Sequence, residues 1–295
     1  MNKHFTGIPS VKLRKGFSKV PNAVRRSSTG KGGIDLRQQI VVDESTCGGA
    51  TDTIWDRPSI LMEYRTLSET EYRDFESRIL YEDNHLLIVN KKVGEITQGD
   101  KTGDECLADS YKAFIAERDS KPGKVFLGIP HRLDRPVSGI CILAKTSKSL
   151  ERMSEMFRNG NVHKTYWALC CEAPQEKEAL LENWLERNEK MNKSFVCKEG
   201  KGKLARLRYR HIADTQRYHL LEVELLTGRH HQIRCQLSHI GCVIKGDLKY
   251  GAPRSNPDGG ICLQAHKVEF EHPVKKTPVC ITCPPPTDWK GLPLL

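Results

Sequence analysis

The stretch His-Arg-Leu-Asp-Arg-Pro-Val-Ser-Gly at 131–139 constrains this chain more than any other. It joins two apolar runs, 125–129 and 140–144, that read as strands. Pro136 has a fixed φ and no N–H to give to a ladder, so the second strand starts after it. Gly139 allows close backbone approach or a bulge. The expected result is a stiff loop that presents one carboxylate, Asp134, among the cations Arg132 and Arg135. A nearby arginine favours the ionised form of a carboxylate. Such a group suits a nucleophile or an electrostatic stabiliser better than a general acid. The competing reading makes Asp134 a turn residue paired at the surface with Arg132 or Arg135.

A chain of 295 residues can bury a full core, as one large domain or two small ones. No apolar run approaches the ~20 residues needed to cross a bilayer. The net charge of +10 points to a polyanion partner, either nucleic acid or an acidic membrane surface. Eleven cysteines are scattered with no secretory signal before them, which fits free, mostly buried thiols in a reduced compartment. Cys280 and Cys283 have a zinc-like spacing, but no second Cys/His pair accompanies them, so no metal is expected.

The first 34 residues carry Lys3, Lys12, Arg14, Lys15, Lys19, Arg25, Arg26 and Lys31, with no acid before Asp35. This composition fits an organellar transit peptide, a basic arm that grips phosphates, or a tail without a role. The location is then mitochondrial or another organelle in the first case, and cytoplasmic otherwise. The chain divides into a basic arm and irregular extension at 1–78, a packed domain at 79–284 and a tail at 285–295.

Residues 67–75 read as a short acidic helix, and 79–90 as two strands around the turn Glu82-Asp83-Asn84. Asp104 reads as the N-cap of a helix with Leu107, Tyr111, Phe114 and Ile115 on its core stripe. Thr146 or Ser147 caps a helix with Leu150, Met153 and Phe157 on one face, ended by Asn159-Gly160. A strand at 162–169 puts Tyr166 on one face with Lys164 and Ala168. Residues 178–187 read as a helix, and 204–212 with 218–226 as a hairpin. A helix is expected over 227–241 with His230, Ile233, Leu237 and Ile240 buried. Within it Arg229 and Arg234 point about 140° apart, so at most one faces Asp134, unless Arg229 lies in the preceding loop. Strands follow at 261–270 and 278–283.

Taken together, these stretches resemble the RluA family of RNA pseudouridine synthases over about 79–284. The loop 131–139 resembles that family's signature around its catalytic aspartate, and 79–90 its opening strands. His163-Lys164-Thr165-Tyr166 resembles the segment that carries its active-site tyrosine. Residues 227–234, continuing to Gly246-Asp247 and Tyr250-Gly251, resemble its arginine-bearing motif. Two departures stand out. Val137 occupies a position where the family often has Thr, and the first 78 residues do not resemble the small RNA-binding domain often fused in front.

The resemblance implies an α+β fold with a mixed, mostly antiparallel central sheet flanked by helices. It implies isomerisation of uridine to pseudouridine in structured rRNA or tRNA, by a monomer without cofactor or membrane contact. Asp134 would be the catalytic carboxylate, Tyr166 would stack on the base and help remove the C5 proton, and Arg234, with Arg229 second, would pair with Asp134. Arg132 would enter the space left by the flipped base, and His131, Arg135, Lys164 and His230 would contact RNA. The alternative is an inactive RNA-binding module on the same fold.

Overall fold

The computed structural model describes residues 64–99 and 103–289, all within the unit Pro58–Leu295. The expected basic arm lies outside the described residues. α1 (Glu69–Ser77) begins at a capping box, in which Ser68 and Glu71 satisfy each other's backbone N–H groups. Its Phe75 packs edge-on against Tyr111 of α2 (Leu107–Arg118).

β1 (Ile79–Glu82) and β2 (Leu86–Lys91) turn at Asp83, whose carboxylate accepts the N–H groups of His85 and Leu86. In β2, Leu86 and Ile88 face one apolar layer, while Leu87 and Val89 face the layer built with α1 and α2. That alternation is why the sheet is covered on both faces here. β3 (Ser138–Ala144) starts after Pro136. α3 (Ser147–Asn159) is capped by Thr146 and ends at Gly160 with φ +77.

β4 (Val162–Cys170), β5 (Glu178–Asn188), β6 (Lys193–Cys197), β7 (Lys203–Asp214) and β8 (His219–Leu225) follow. Then come α4 (Gln232–His239), β9 (Leu263–Glu271) and β10 (Pro278–Thr282). The strand order is β1-β2-β3-β9-β4-β8-β7-β5-β6, with β10 on β9. Among the described strands only β3 and β9 pair in parallel, so the sheet is mixed and mostly antiparallel, as expected.

The parallel pairing places the central loop. Gly139 pairs with Ala265, which pairs on its other side with Tyr166. Gly139 has φ +107, and a Cβ there would overlap the Ala265 backbone. Close approach at this glycine thus brings the loop before β3 up to the tyrosine strand.

Four expectations fail. Residues 178–187 form β5, not a helix, because eight consecutive residues pair with β7. Residues 125–129 make no strand: they hold one bridge, Gly128 to Ala144. Asp104 does not cap α2, whose N-cap is Cys106; it pairs with Arg135 at 2.8 Å. The helix expected from 227 begins only at Gln232, since His231 has φ +51 and the Gln232 side chain accepts the Arg229 N–H from the loop. No helix among the described residues is long and apolar enough to cross a membrane.

Candidate active site

The loop that carries Asp134 is held through its backbone. Thr97 donates to the Leu133 carbonyl, and the Val137 N–H to the Asp134 carbonyl. The Gly94 N–H donates to the Arg135 carbonyl and the Ile261 N–H to that of Pro136. The buried Lys91 ammonium donates to Val137 at 2.7 Å, Lys92 at 2.9 Å and Arg135 at 3.2 Å. Every carbonyl from Leu133 to Val137 therefore has a donor, so the loop has little freedom to swing. Burial pulls the Lys91 pKa down to about 8, with opposing help from Glu95, Cys141 and Asp134, so the group still carries charge at neutral pH.

Lys91→Met keeps the aliphatic stem and deletes the three donors. The expected cost is about 3 kcal/mol of stability, as buried carbonyls lose a charged donor. Turnover should fall with it, because Asp134 is no longer held. Denaturant melts and initial rates check both; unchanged values would mean that the other donors suffice.

Arg234 is the centre of the site. It sits on the first turn of α4, buried, with Nε and Nη2 on the two oxygens of Asp247 at 2.7 and 2.8 Å. Its Nη1 donates to Asp134 Oδ2 at 3.3 Å. The guanidinium carbon lies 5.2 Å from the Tyr250 ring centroid. Burial works against the Arg234 charge, but the Asp247 hydrogen bonds and charge, with Asp134 beyond, more than offset it and raise its pKa. Asp247 is 1% exposed, whereas the Asp134 side chain is 35% exposed. One buried arginine thus links a hidden acid to an accessible one.

His231 approaches the same oxygen, with Nε2 3.5 Å from Asp134 Oδ2 and Nδ1 3.1 Å from the Tyr250 hydroxyl. Burial pushes its pKa down to about 2, reinforced by Arg234, so the ring is neutral. Tyr166 is buried, and burial together with the Asp134 charge raises its pKa, which keeps the phenol protonated.

Arg234 thus reaches Asp134 directly, and Tyr166 lies near enough to feel the Asp134 charge. Among the described residues Arg229 makes no such contact: it precedes α4, and its Nε donates to the Leu204 carbonyl at 3.0 Å. His131 turns inward. Its Nε2 accepts the Ile142 N–H at 2.9 Å, its ring stacks on Phe157, and burial pushes its pKa to about 3. Arg135 is committed to Asp104, and His230 to Ser194 Oγ and Asn192. Arg132 is exposed and makes no side-chain hydrogen bond or ion pair among the described residues. Lys164 is half-buried, its pKa lowered by burial, with Nζ 5.7 Å from the Phe157 ring centroid. Sequence reasoning assigned no role to Asp247, Tyr250, His231 or Lys91. The only available signal was that the first three fall inside the arginine-bearing motif.

Comparison with known proteins gives a consistent picture. The family model described as RNA pseudouridylate synthase matches residues 85–239, just over half of the chain. An Uncharacterized RNA pseudouridine synthase of Chlorobaculum parvum is 30% identical, over 73% of this chain and 72% of its own length. Pseudouridylate synthase RPUSD4, mitochondrial, of Xenopus tropicalis is 29% identical, over 72% and 78%. Ribosomal large subunit pseudouridine synthase D of Xylella fastidiosa is 32% identical, over 73% and 68%. Among solved structures, Human RNA Pseudouridylate Synthase Domain Containing 4 shares the fold, with a TM-score of 0.61 at 22% identity over 74% of this chain and 92% of its own. The chain belongs to the RNA pseudouridylate synthase family and is an isomerase that converts uridine in RNA to pseudouridine.

Proposed function

We propose that Asp134 carries out this isomerisation on a uridine flipped out of folded large-subunit ribosomal RNA. The observation that carries the reading is the asymmetry of one carboxylate. Asp134 Oδ2 faces Arg234 and His231, while Oδ1 takes no hydrogen bond among the described residues. A single free, negatively charged oxygen is what attack at C1′, or removal of the C2′ proton, requires. The N1–C1′ bond breaks, the uracil turns, C5 bonds to C1′, the C5 proton leaves, and N1 takes up a proton in its place. No electrons are gained or lost, so no redox cofactor is called for.

Uridine in a folded RNA is stacked, and extruding it costs a few kcal/mol. Tyr166 offers an aromatic face to the extruded base, and its phenol, protonated in the free site, is available as a hydrogen-bond donor. Arg132, exposed beside Asp134, fills the gap in the stack. Lys164 and other cations near the site hold phosphates, so affinity should fall as salt rises. The ribosomal target is supported by the names of the bacterial relatives. The basic stretch before Asp35 reads as an organellar transit segment, supported by the mitochondrial relative. Sequencing the mature N-terminus tests that point.

The decisive experiment for the substrate is chemical mapping of pseudouridine in all cellular RNA, with and without the gene. Loss of one or more large-subunit sites is the expected result. Losses confined to tRNA would overturn the ribosomal assignment.

His231 belongs in this mechanism as a positioning residue. The Asp134 charge favours Nε2–H toward it, since a charge-assisted contact outweighs a neutral one, and Nδ1 then accepts the Tyr250 hydroxyl proton in competition with the Ser194 carbonyl. His231→Gln keeps a donor at that reach; His231→Asn suits the φ of +51 but withdraws it. The Asn variant should lower kcat about tenfold, with KM nearly unchanged. The Gln variant should recover most of the loss. Equal kcat for Asn and wild type would remove His231 from the reaction.

A further inference from the structure

The β7–β8 hairpin holds a second cluster of chemistry-bearing side chains that the isomerase reaction does not use. His211 and Asp214 lie three residues apart on β7, a spacing that puts them on opposite faces of a regular strand. A bulge changes that. His211 pairs with Leu221 and Ala213 with Leu220, leaving Ile212 as the extra residue. The phase shift turns Asp214 onto the face of His211, directly opposite His219 of β8. The turn beyond is tied down by Thr215, whose N–H donates to the Tyr218 carbonyl and whose hydroxyl accepts the Tyr218 N–H.

The three side chains converge on one point. His211 Nε2 lies 2.8 Å and His219 Nδ1 2.6 Å from the same oxygen, Asp214 Oδ1. The two rings stand nearly perpendicular, with centroids 5.6 Å apart. All three potential ligand atoms fall within 4.8 Å of one another, the only such group of His, Cys, Asp and Glu among the described residues. Asp214 is largely exposed, so an ion can reach the site and the carboxylate can move.

We propose that His211, Asp214 and His219 form a binding site for a divalent transition ion of borderline softness, with zinc the natural occupant. Two imidazoles and a carboxylate are a donor set that zinc favours. Magnesium and calcium require shells made almost wholly of oxygen. Tetrahedral zinc sets its ligand atoms ~3.3 Å apart, so the two carboxylate–imidazole distances open by ~0.6 Å, within reach of a carboxylate rotation, while the two imidazole nitrogens already lie within 4.8 Å of each other. The rings then present bare nitrogens to the metal and carry their protons on the opposite nitrogens. Water fills the fourth position. The occupied site would staple the end of the hairpin, far along the chain from Asp134.

The test uses the full-length protein stripped of metal by a chelator. Cobalt serves as the spectroscopic probe, because the protein also has free thiols. Uptake of one cobalt equivalent, with d–d absorption but no sulfur-to-cobalt charge-transfer band, is the expected result. Zinc should displace it; magnesium and calcium should not. His219→Ala and Asp214→Asn should each weaken uptake at least about tenfold. Both variants should convert uridine at the wild-type rate. The wild-type melting temperature should rise by about 5 °C at a hundredfold zinc excess over Kd, and the variants' should not. No saturable uptake at millimolar ion would overturn the proposal. So would a thiolate charge-transfer band, or uptake that persists unchanged in both variants.

Discussion

Asp134→Asn is expected to abolish pseudouridine formation, by about 10⁴-fold or more, while RNA affinity stays within a few fold. The substitution is nearly isosteric, and the neighbours dictate how the amide lies. Arg234 Nη1 and His231 Nε2 both face Oδ2, so the amide oxygen turns toward them. The amide nitrogen is then left where the free carboxylate oxygen was. A group with no available lone pair and no charge replaces the one that acts on the sugar. The fold should hardly notice, because Asp134 makes one 3.3 Å hydrogen bond and Arg234 keeps Asp247. Release of label from C5-tritiated RNA measures the reaction, and a melt confirms the fold. Wild-type release would mean that another group acts on the sugar.

What could be read from the sequence is what local chemistry decides. The β1–β2 turn at Asp83, the Thr146 cap, the Gly160 stop and the start of β3 after Pro136 each depend on a few neighbouring residues. β5 is the counterexample. Glu, Ala, Leu and Arg at 178–187 favour a helix locally, and eight rungs to β7 override them. No local signal records the partner strand. The site divides in the same way. Asp134, Tyr166 and Arg234 stood out through family resemblance, but the choice between Arg229 and Arg234 waited on where α4 begins. That is set by His231 in a left-handed conformation and by the Gln232 side chain, features that helical periodicity does not report. Asp247 looked like an ordinary loop acid because its partner, Arg234, lies thirteen residues back and its burial comes from the fold.

That hidden pair should be the most damaging place to cut the structure. Arg234→Ala leaves Asp247 buried without its bidentate partner, and Asp247→Ala leaves a buried guanidinium facing Asp134 alone. Removing one side of a buried pair costs about 3–5 kcal/mol, because the other charge stays desolvated. For a unit of this size the melting temperature should drop by roughly 10 °C in either variant. Turnover should fall in both, and far more than in Lys124→Ala, which removes an exposed lysine. The double variant Arg234→Met with Asp247→Leu separates holding from chemistry. It fills the space with apolar volume and leaves neither charge stranded, so most of the lost stability should return. Turnover should not return, since Asp134 Oδ2 then faces no guanidinium and the loop oxygen is neither oriented nor balanced. A double variant that regained both stability and rate would show that the pair only supports the fold. One that regained stability alone would place Arg234 in the reaction.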